Sequence, residues 1–441
     1  MTDATVHRPA GTCAAAREMP AEEALARILA AIEPVGATET IPLWNGHGRV
    51  LAEDLRSAIN VPAHDNAAMD GYALRGSDLP AEGTARLALV GRALAGHPFT
   101  GVVGTGQCVA ITTGAPLPAG ADTVIVVERT EAAGDTILID VGTRTGANIR
   151  FAGEDVREGS LVAAAGACLN PALLGVLASL GIDRVVVYRR PRVALLSTGD
   201  EVQAPGTALR SGGVYDSNRY ALNALLGSLG VDVIDCGAVP DDPQRLREAL
   251  ADAAGRGDVV VSSGGVSVGE ADFVKAILAG LGTVDFWKLA IRPGRPLTFG
   301  TVGGAVFFGL PGNPVAVMVT FLAFVRPALQ RLMGMPPTAL TRLEATCTDR
   351  LRKRPGRREF QRGIVQPSAG GGLQVRLTGR QGSGILTSMI LANCLVVLPE
   401  DRGTVEPGER VSIELLPWAT LPAAGEEEEA VVAACDQPCG G

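Results

Sequence analysis

The chain has 441 residues, room for roughly two to four domains, and its 46% hydrophobic content supports sizeable cores. With aromatics at only 4%, those cores must be packed mainly with Val, Leu, Ile and Ala. A net charge of −8 argues against a general nucleic-acid binder, and eight scattered cysteines with no CxxC pair suit a reducing cytoplasm rather than a disulfide scaffold.

Residues 1–18 read as a disordered leader that lacks the apolar core of a signal peptide. Pro20 opens an amphipathic helix with Leu25, Ile28, Leu29 and Ile32 on one face. Segments 19–60 and 142–190 make a discontinuous mixed α/β domain, in which Asn170–Pro171 is a cap and first-turn proline ahead of ALLGVLASLGI. Between them, 61–141 changes to short strands such as ARLALVG and ADTVIVVE, separated by Gly and Pro turns, and reads as a β-rich insert.

Residues 191–336 alternate strand with helix: VALLS, RYALNALLGSLG, VDVIDCG, PQRLREALADAA, DVVVSS, a helix from about Ala271, AVFFGL and VAVMVTFLAFVRPAL. This order predicts a doubly wound, mostly parallel α/β sheet. Residues 337–418 are all strand (EFQRGIV, LQVRLTG, CLVVLP, RVSIELL) with short connections, which predicts a β-barrel-like C-terminal domain. The end, 419–441, reads as a disordered acidic tail, and Cys435 with Cys439 supplies too few ligands for zinc. The longest apolar run, Val315–Val325, is bounded by Pro314 and Arg326 and is too short to span a bilayer, so no membrane partner is expected.

Ligands of open α/β sheets gather at the carboxyl ends of the strands. Four polar loops occupy such positions: Ser197–Glu201 with Thr198 and Gly199, Gly237–Asp242, the stretch DVVVSSGGVSVGEADFVK with Ser263, Gly264 and Gly265, and Gly309–Pro314. Glycine-rich loops ahead of helices offer free backbone N–H groups to phosphate, although any one of these glycines also fits a plain tight turn. Glu201, Asp241, Asp242, Glu270 and Asp272 lie in the same loops, and carboxylates beside a phosphate repel it unless a cation stands between. Mg²⁺ suits that place.

Lys288, Arg292 and Arg295 in WKLAIRPGRP surround a Pro–Gly turn that reads either as a second anion site or as a solvated hairpin. HDNAAMDGYALR (Asp65, Asn66, Asp70) and GANIRFAGEDVREG (Arg150, Glu154, Asp155) are dense in polar groups, and each reads as a site or as an Asx-turn. The basic run RLRKRPGRREFQR (350–362) has little aromatic interleaving and a central Pro–Gly, which favours a turn between strands over a nucleic-acid surface. None of the four histidines stands in a HxxxH or Ser–His context, which speaks against a catalytic triad.

HDNAAMDGYA, ITTGAPLPAGAD, AGEDV, STGDE, YDSN, SSGGVSVGEAD, WKLAIRPGRP and FGLPGNPVA occur in the order found in molybdopterin molybdenumtransferases. Over residues 20–418 the chain resembles that family, and with it the cofactor-forming domain of gephyrin. The resemblance implies a homodimer of elongated subunits whose α/β domain binds adenylylated molybdopterin. Molybdenum from molybdate is then placed at the dithiolene, the phosphoanhydride is cleaved with Mg²⁺, and AMP leaves. It also implies roles by position. Asp65, Asp70, Thr113, Asp155, Lys288 and Arg292 fall to catalysis, the acidic motif with Asp65 and Asp70 approaching the α/β domain of the other subunit. Ser197, Thr198, Gly199, Asp241, Ser263, Gly264, Gly265, Pro311, Gly312, Asn313, Pro314, Arg362 and Ser383 fall to ligand binding, and Glu201, Asp241 and Asp272 to the metal.

Two positions depart from the family: Ala67 where serine is common, and Arg292 where lysine is usual, which keeps the charge but changes the donor geometry. Competing readings are a molybdopterin adenylyltransferase, which a lone α/β domain would favour, and a non-catalytic molybdopterin-binding scaffold. Expected partners are an adenylylating enzyme and molybdoenzymes that accept the cofactor.

Overall fold

The segment Arg192–Thr198 (β1) is buried at six of its seven positions, as a strand covered on both faces must be. In the computed structural model it belongs to a six-stranded sheet. In chain order the elements after it are α1 (Ser217–Ser228), β2 (Asp232–Val239), α2 (Pro243–Arg256), β3 (Val259–Ser263), α3 (Ala271–Leu281), β4 (Gly282–Lys288), β5 (Pro296–Val302), β6 (Ala305–Leu310) and a helix α4 (Pro314–Leu332). The strand order is β2-β1-β3-β6-β5-β4. The first four strands are parallel, and β5 and β4 continue as an antiparallel edge.

Sequence alone named four of these strands. GTVDFWK and PLTFGTV escaped because an edge strand needs only one apolar face: β4 alternates half-buried with exposed positions over most of its length and carries Asp285 and Lys288.

Side-chain alternation sends Ala194, Leu196, Val260 and Phe307 to one face, where they pack with Leu246 and Leu250 of α2 and Ile277 and Leu278 of α3. Burying each such Leu or Ile contributes about 1.5–3 kcal/mol. Asp242 caps α2 by accepting from the Arg245 N–H at 2.8 Å, with Pro243 in the first turn. Asp216 does the same for α1 through the Arg219 N–H at 3.1 Å.

Helix α4 contains a π-helical segment, Phe321–Val325, just before Pro327, whose missing N–H cannot continue the ordinary ladder. It is long and apolar enough to cross a membrane by composition, but 78% of its apolar window is buried inside the protein, as in a core helix.

Beyond it, β7 (Arg342–Cys347), β8 (Arg358–Pro367), β9 (Leu373–Leu377), β10 (Cys394–Leu398) and β11 (Arg410–Leu415) close into a five-stranded barrel in the order β8-β9-β7-β11-β10-β8. Its core gathers Val365, Val375, Val396, Val411 and Ile413.

The structure describes residues 18–264, 271–368 and 370–421, with backbone only for 271–273. All but Glu18 of the expected leader, the acidic tail from 422 onward, Gly265 and Glu270 lie outside those residues. Two compact units emerge: Thr38–Val187, and the flanking segments up to Ala37 and from Tyr188. The smaller unit holds a six-stranded sheet built from Gly71–Leu74 through Thr136–Asp140, with ARLALVG and TVIV on two of its strands. It also holds a helix, Pro171–Ser179, capped by Asn170 Oδ1 accepting from the Leu173 N–H at 2.8 Å.

Candidate active site

The carboxyl ends of the parallel strands open into a cavity of about 990 Å³. Its sheet-side wall carries Thr198, Gly199, Glu201, Asp241, Gly264, Pro311, Gly312 and Asn313, drawn from four loops that are distant in sequence. The opposite wall comes from the barrel and the Pro–Gly turn: Arg292, Arg295, Arg350, Arg352, Glu359, Gln361, Arg362 and Ser383. Eleven residues proposed from sequence therefore meet in one space.

The others stand apart. Ser197 is buried behind the wall, its hydroxyl donating to Asp216 Oδ1 at 3.0 Å. Ser263 accepts from Asn218 Nδ2 at 2.9 Å and donates to the Pro311 carbonyl at 3.4 Å, so both serines brace loops instead of facing ligand. Pro314 is the first residue of α4. Lys288 is exposed at the end of β4 and is not among the lining residues. The Asp272 side chain lies outside the described residues.

Two sequence-based expectations need correction. The glycine loops were to supply free N–H groups, yet the Gly199 N–H donates to the Val239 carbonyl at 3.3 Å and the Gly264 N–H to Leu310 at 3.2 Å. The N–H of Val315, in the first turn of α4, donates to the Ser383 carbonyl at 3.0 Å. At Gly199 and Gly264 the backbone gives room for close approach, but its N–H is already bonded. Secondly, Asp242 is spent on its helix cap.

The basic run 350–362 turns at Pro355–Gly356 ahead of a strand, as its sequence suggests, and it also builds part of the wall. Leu351 and Lys353 point inward, while Arg350 and Arg352 line the cavity. Lys353 Nζ donates to the carbonyls of Arg402 at 2.8 Å, Glu400 at 3.3 Å and Arg354 at 3.4 Å, which pins the segment. Glu359 and Gln361 are contributors that sequence reasoning missed. No sequence signal marked them, because their strand, EFQRGIV, buries its polar residues with its apolar ones.

Arg362 is the largest fully buried side chain among the described residues, 1% exposed. It donates to Ser388 Oγ at 3.0 Å and to the Gly382 carbonyl at 3.1 Å, both neutral. Burial first, and the positive charge of Arg292 second, push its guanidinium down to about 10. On the sheet side, Asp200 and Asp241 tie their loops together, each accepting from the other's backbone N–H at 3.0 and 3.3 Å. Thr198 Oγ1 has no hydrogen-bond partner among the described residues.

Among those residues no group of three or more His, Cys, Asp or Glu is placed to hold a metal. Glu201 and Asp241 nevertheless share the wall, and two carboxylates fit Mg²⁺, which completes its shell with ligand phosphates and water.

In the smaller unit, the exposed Asp70 accepts from the Thr113 N–H at 2.6 Å and from Thr113 Oγ1 at 2.7 Å. Asp65 accepts from the Ala152 N–H at 2.8 Å, and the Asp155 N–H donates to the Val61 carbonyl at 3.0 Å. The backbone and then the hydroxyl of Thr113 hold the Asp70 carboxyl below its ordinary 3.8. A folded-state value below the unfolded one contributes stability above about pH 4 that is lost as pH falls through the folded value. Thr113→Val should raise the Asp70 value part of the way back, because the backbone donor remains. NMR titration of Asp70 in both proteins checks this, and an unchanged value would remove the hydroxyl from the account.

Fold and cavity define the class: a multidomain α/β protein with a cavity where its parallel strands end, lined by carboxylates on the sheet side and by arginines from the barrel. Three family regions match in order: MoeA N-terminal region (domain I and II) over residues 19–181, probable molybdopterin binding domain over 194–331, and MoeA C-terminal region (domain IV) over 344–416. The molybdopterin molybdenumtransferase of Haemophilus influenzae is 44% identical over 383 residues, 86% of this chain and 93% of that protein. The chain belongs to the molybdopterin molybdenumtransferase family. The enzyme of the same name from Nostoc sp. is 36% identical, over 86% of this chain and 89% of its own. The crystal structure of a molybdopterin biosynthesis moeA protein from Pyrococcus horikoshii OT3 superposes with a TM-score of 0.80 at 31% identity, covering 91% of this chain and all of that one.

Proposed function

We propose that this chain is a molybdopterin molybdenumtransferase acting in the last step of molybdenum-cofactor synthesis. Adenylylated molybdopterin binds in the cavity, molybdenum from molybdate is placed at the dithiolene, and Mg²⁺-dependent cleavage of the phosphoanhydride releases AMP. The observation that carries this reading is the division of one cavity into a carboxylate wall, with Glu201 and Asp241, and a guanidinium wall, with Arg292 and Arg362.

Two anions must meet in this reaction. Arg292 and Arg362 offset their repulsion, and Arg362 does so from a buried site where charge acts strongly. Glu201 and Asp241, with Asp272, would hold Mg²⁺, which when bound supplies positive charge to the phosphoanhydride oxygens. Gly264 and Gly312 leave the backbone bare so that the ligand can lie against it.

Within this reading the protein is a cytoplasmic homodimer with the domain boundaries set out from sequence. Asp65, Asp70, Thr113, Asp155 and Lys288 keep the catalytic roles that the resemblance implies. A molybdopterin adenylyltransferase reading would leave the barrel wall and its arginines without a task.

The test is turnover with purified protein, adenylylated molybdopterin, Mg²⁺ and molybdate. AMP release that depends on molybdate and Mg²⁺, with active cofactor formed in step, is expected. Tight binding of the adenylylated pterin without turnover would make the protein a scaffold. In the same assay Arg292→Ala should raise the half-saturating molybdate concentration about ten- to a hundredfold, since one charge-assisted hydrogen bond is worth about 1.5–3 kcal/mol. An unchanged molybdate dependence would take Arg292 out of the oxyanion site.

A further inference from the structure

Ile291–Arg292 pairs in parallel with Arg358–Glu359, in the register that sets Arg292 beside Glu359. Arg292 Nη1 lies 3.4 Å from Glu359 Oε1, a loose contact at one oxygen. The other oxygen, Oε2, accepts from Gln361 Nε2 at 3.0 Å. Glu359 and Gln361 are each 6% exposed, so this carboxylate is held in place, whereas the Arg292 side chain is 66% exposed and free to turn. Arg362, whose described partners are neutral, lines the same cavity and feels the charge of Arg292.

We propose that Glu359 is a built-in counter-ion of the oxyanion site and sets how tightly molybdate is held there. This rests on the reading that Arg292 and Arg362 receive molybdate. In the empty protein two guanidiniums and one carboxylate leave one net positive charge. A dianion arriving beside all three takes the group to one net negative charge. Without Glu359 it would exactly neutralise the two guanidiniums.

Glu359 therefore offsets the charge of Arg292, and it repels an oxyanion that shares Arg292 with it. Arg292 suits this exchange, because its fork can keep one N–H on the carboxylate while turning others to the ligand. Lys353 also feels Glu359, but it keeps its three carbonyl acceptors and the charge of Glu400 when that carboxylate is removed.

The experiment is equilibrium binding of molybdate to the full-length protein, with molybdate-dependent AMP release measured in parallel. Glu359→Gln is expected to lower both the dissociation constant and the half-saturating molybdate concentration at least about fivefold, with kcat unchanged or reduced. The direction is diagnostic: a damaged fold weakens binding and does not tighten it. Unchanged or weaker binding in a folded Glu359→Gln protein overturns the proposal.

If that variant does not fold, Glu359→Asp keeps the charge but draws it back from Arg292. It should tighten binding about twofold, and weaker or unchanged binding again overturns the proposal. Wild-type protein that neither binds molybdate nor releases AMP in response to it would sink the underlying reading instead. A wild type that does both, with Glu359→Gln indistinguishable from it, would sink only the role given to Glu359.

Discussion

Arg362→Met is expected to reduce molybdate-dependent turnover about a hundredfold or more while leaving the melting temperature unchanged or a few degrees higher. Both halves follow from one geometry. Arg362 is 1% exposed, and the described partners of its guanidinium are a hydroxyl and a carbonyl, with no carboxylate among them. A charge buried without a counter-ion costs stability, and replacing it by an apolar side chain of similar length is often neutral or favourable.

The pH dependence has the matching sign. Burial holds the guanidinium down at about 10, below its unfolded value, so the unfolded chain binds more protons above pH 10. In wild type, stability arising from this group rises with pH in that range, and at neutral pH its full cost is present. Methionine removes both the cost and the pH term. Two hydrogen bonds to neutral groups do not offset the burial of a full charge, which is why the residue is assigned to the ligand. A variant with normal turnover, or one that loses activity only because it melts many degrees lower, would return Arg362 to a structural role.

The parallel core of the sheet was legible because strands covered on both faces must be apolar at consecutive positions. VALLS and DVVVSS announce themselves in that way. The loops that follow were legible for a topological reason, since strand ends in such a sheet converge whatever their spacing in the chain.

The barrel wall was not legible. In RLRKRPGRREFQR the inward residues, Leu351 and Lys353, alternate with the cavity-facing Arg350 and Arg352, and a buried lysine solvated by three carbonyls cannot be told from a surface one by sequence. Likewise Glu359, Gln361 and Arg362 lie on a strand where burial pays no attention to polarity, because their polar groups find partners within the barrel: Gln361 donates to Glu359, and Arg362 to Ser388 and Gly382. The braces behind the wall were hidden too. Asn218, within the motif YDSN, donates to Ser263 Oγ at 2.9 Å and to the Gly312 carbonyl at 2.7 Å, joining two loops that lie 45 and 94 residues away.

Gly264→Ala is expected to lower stability by about 2–4 kcal/mol and to abolish binding of the adenylylated pterin. The residue has φ of +93°, where an L side chain is strained, and a Cβ there would lie 2.5 Å from the Thr198 carbonyl oxygen. That oxygen belongs to β1, in the middle of the sheet, and cannot retreat as the tip of a flexible side chain could. Nor can the loop move away easily, because the Gly264 N–H is bonded to the Leu310 carbonyl at 3.2 Å, on the strand that leads into the Pro311–Asn313 wall.

Relief must therefore come from parting the two loops that form the ligand surface, so stability and binding should fail together. Gly255→Ala is the control: it lies in α2 with nothing within 4 Å of its Cβ position, and should gain up to about 1 kcal/mol. Chemical denaturation and pterin binding on both variants check the pair. If Gly264→Ala melts like wild type and still binds, the close approach of these loops is not what shapes the site. If it is destabilised but still binds, the strain is real and the ligand must lie elsewhere along the cavity, against the barrel wall.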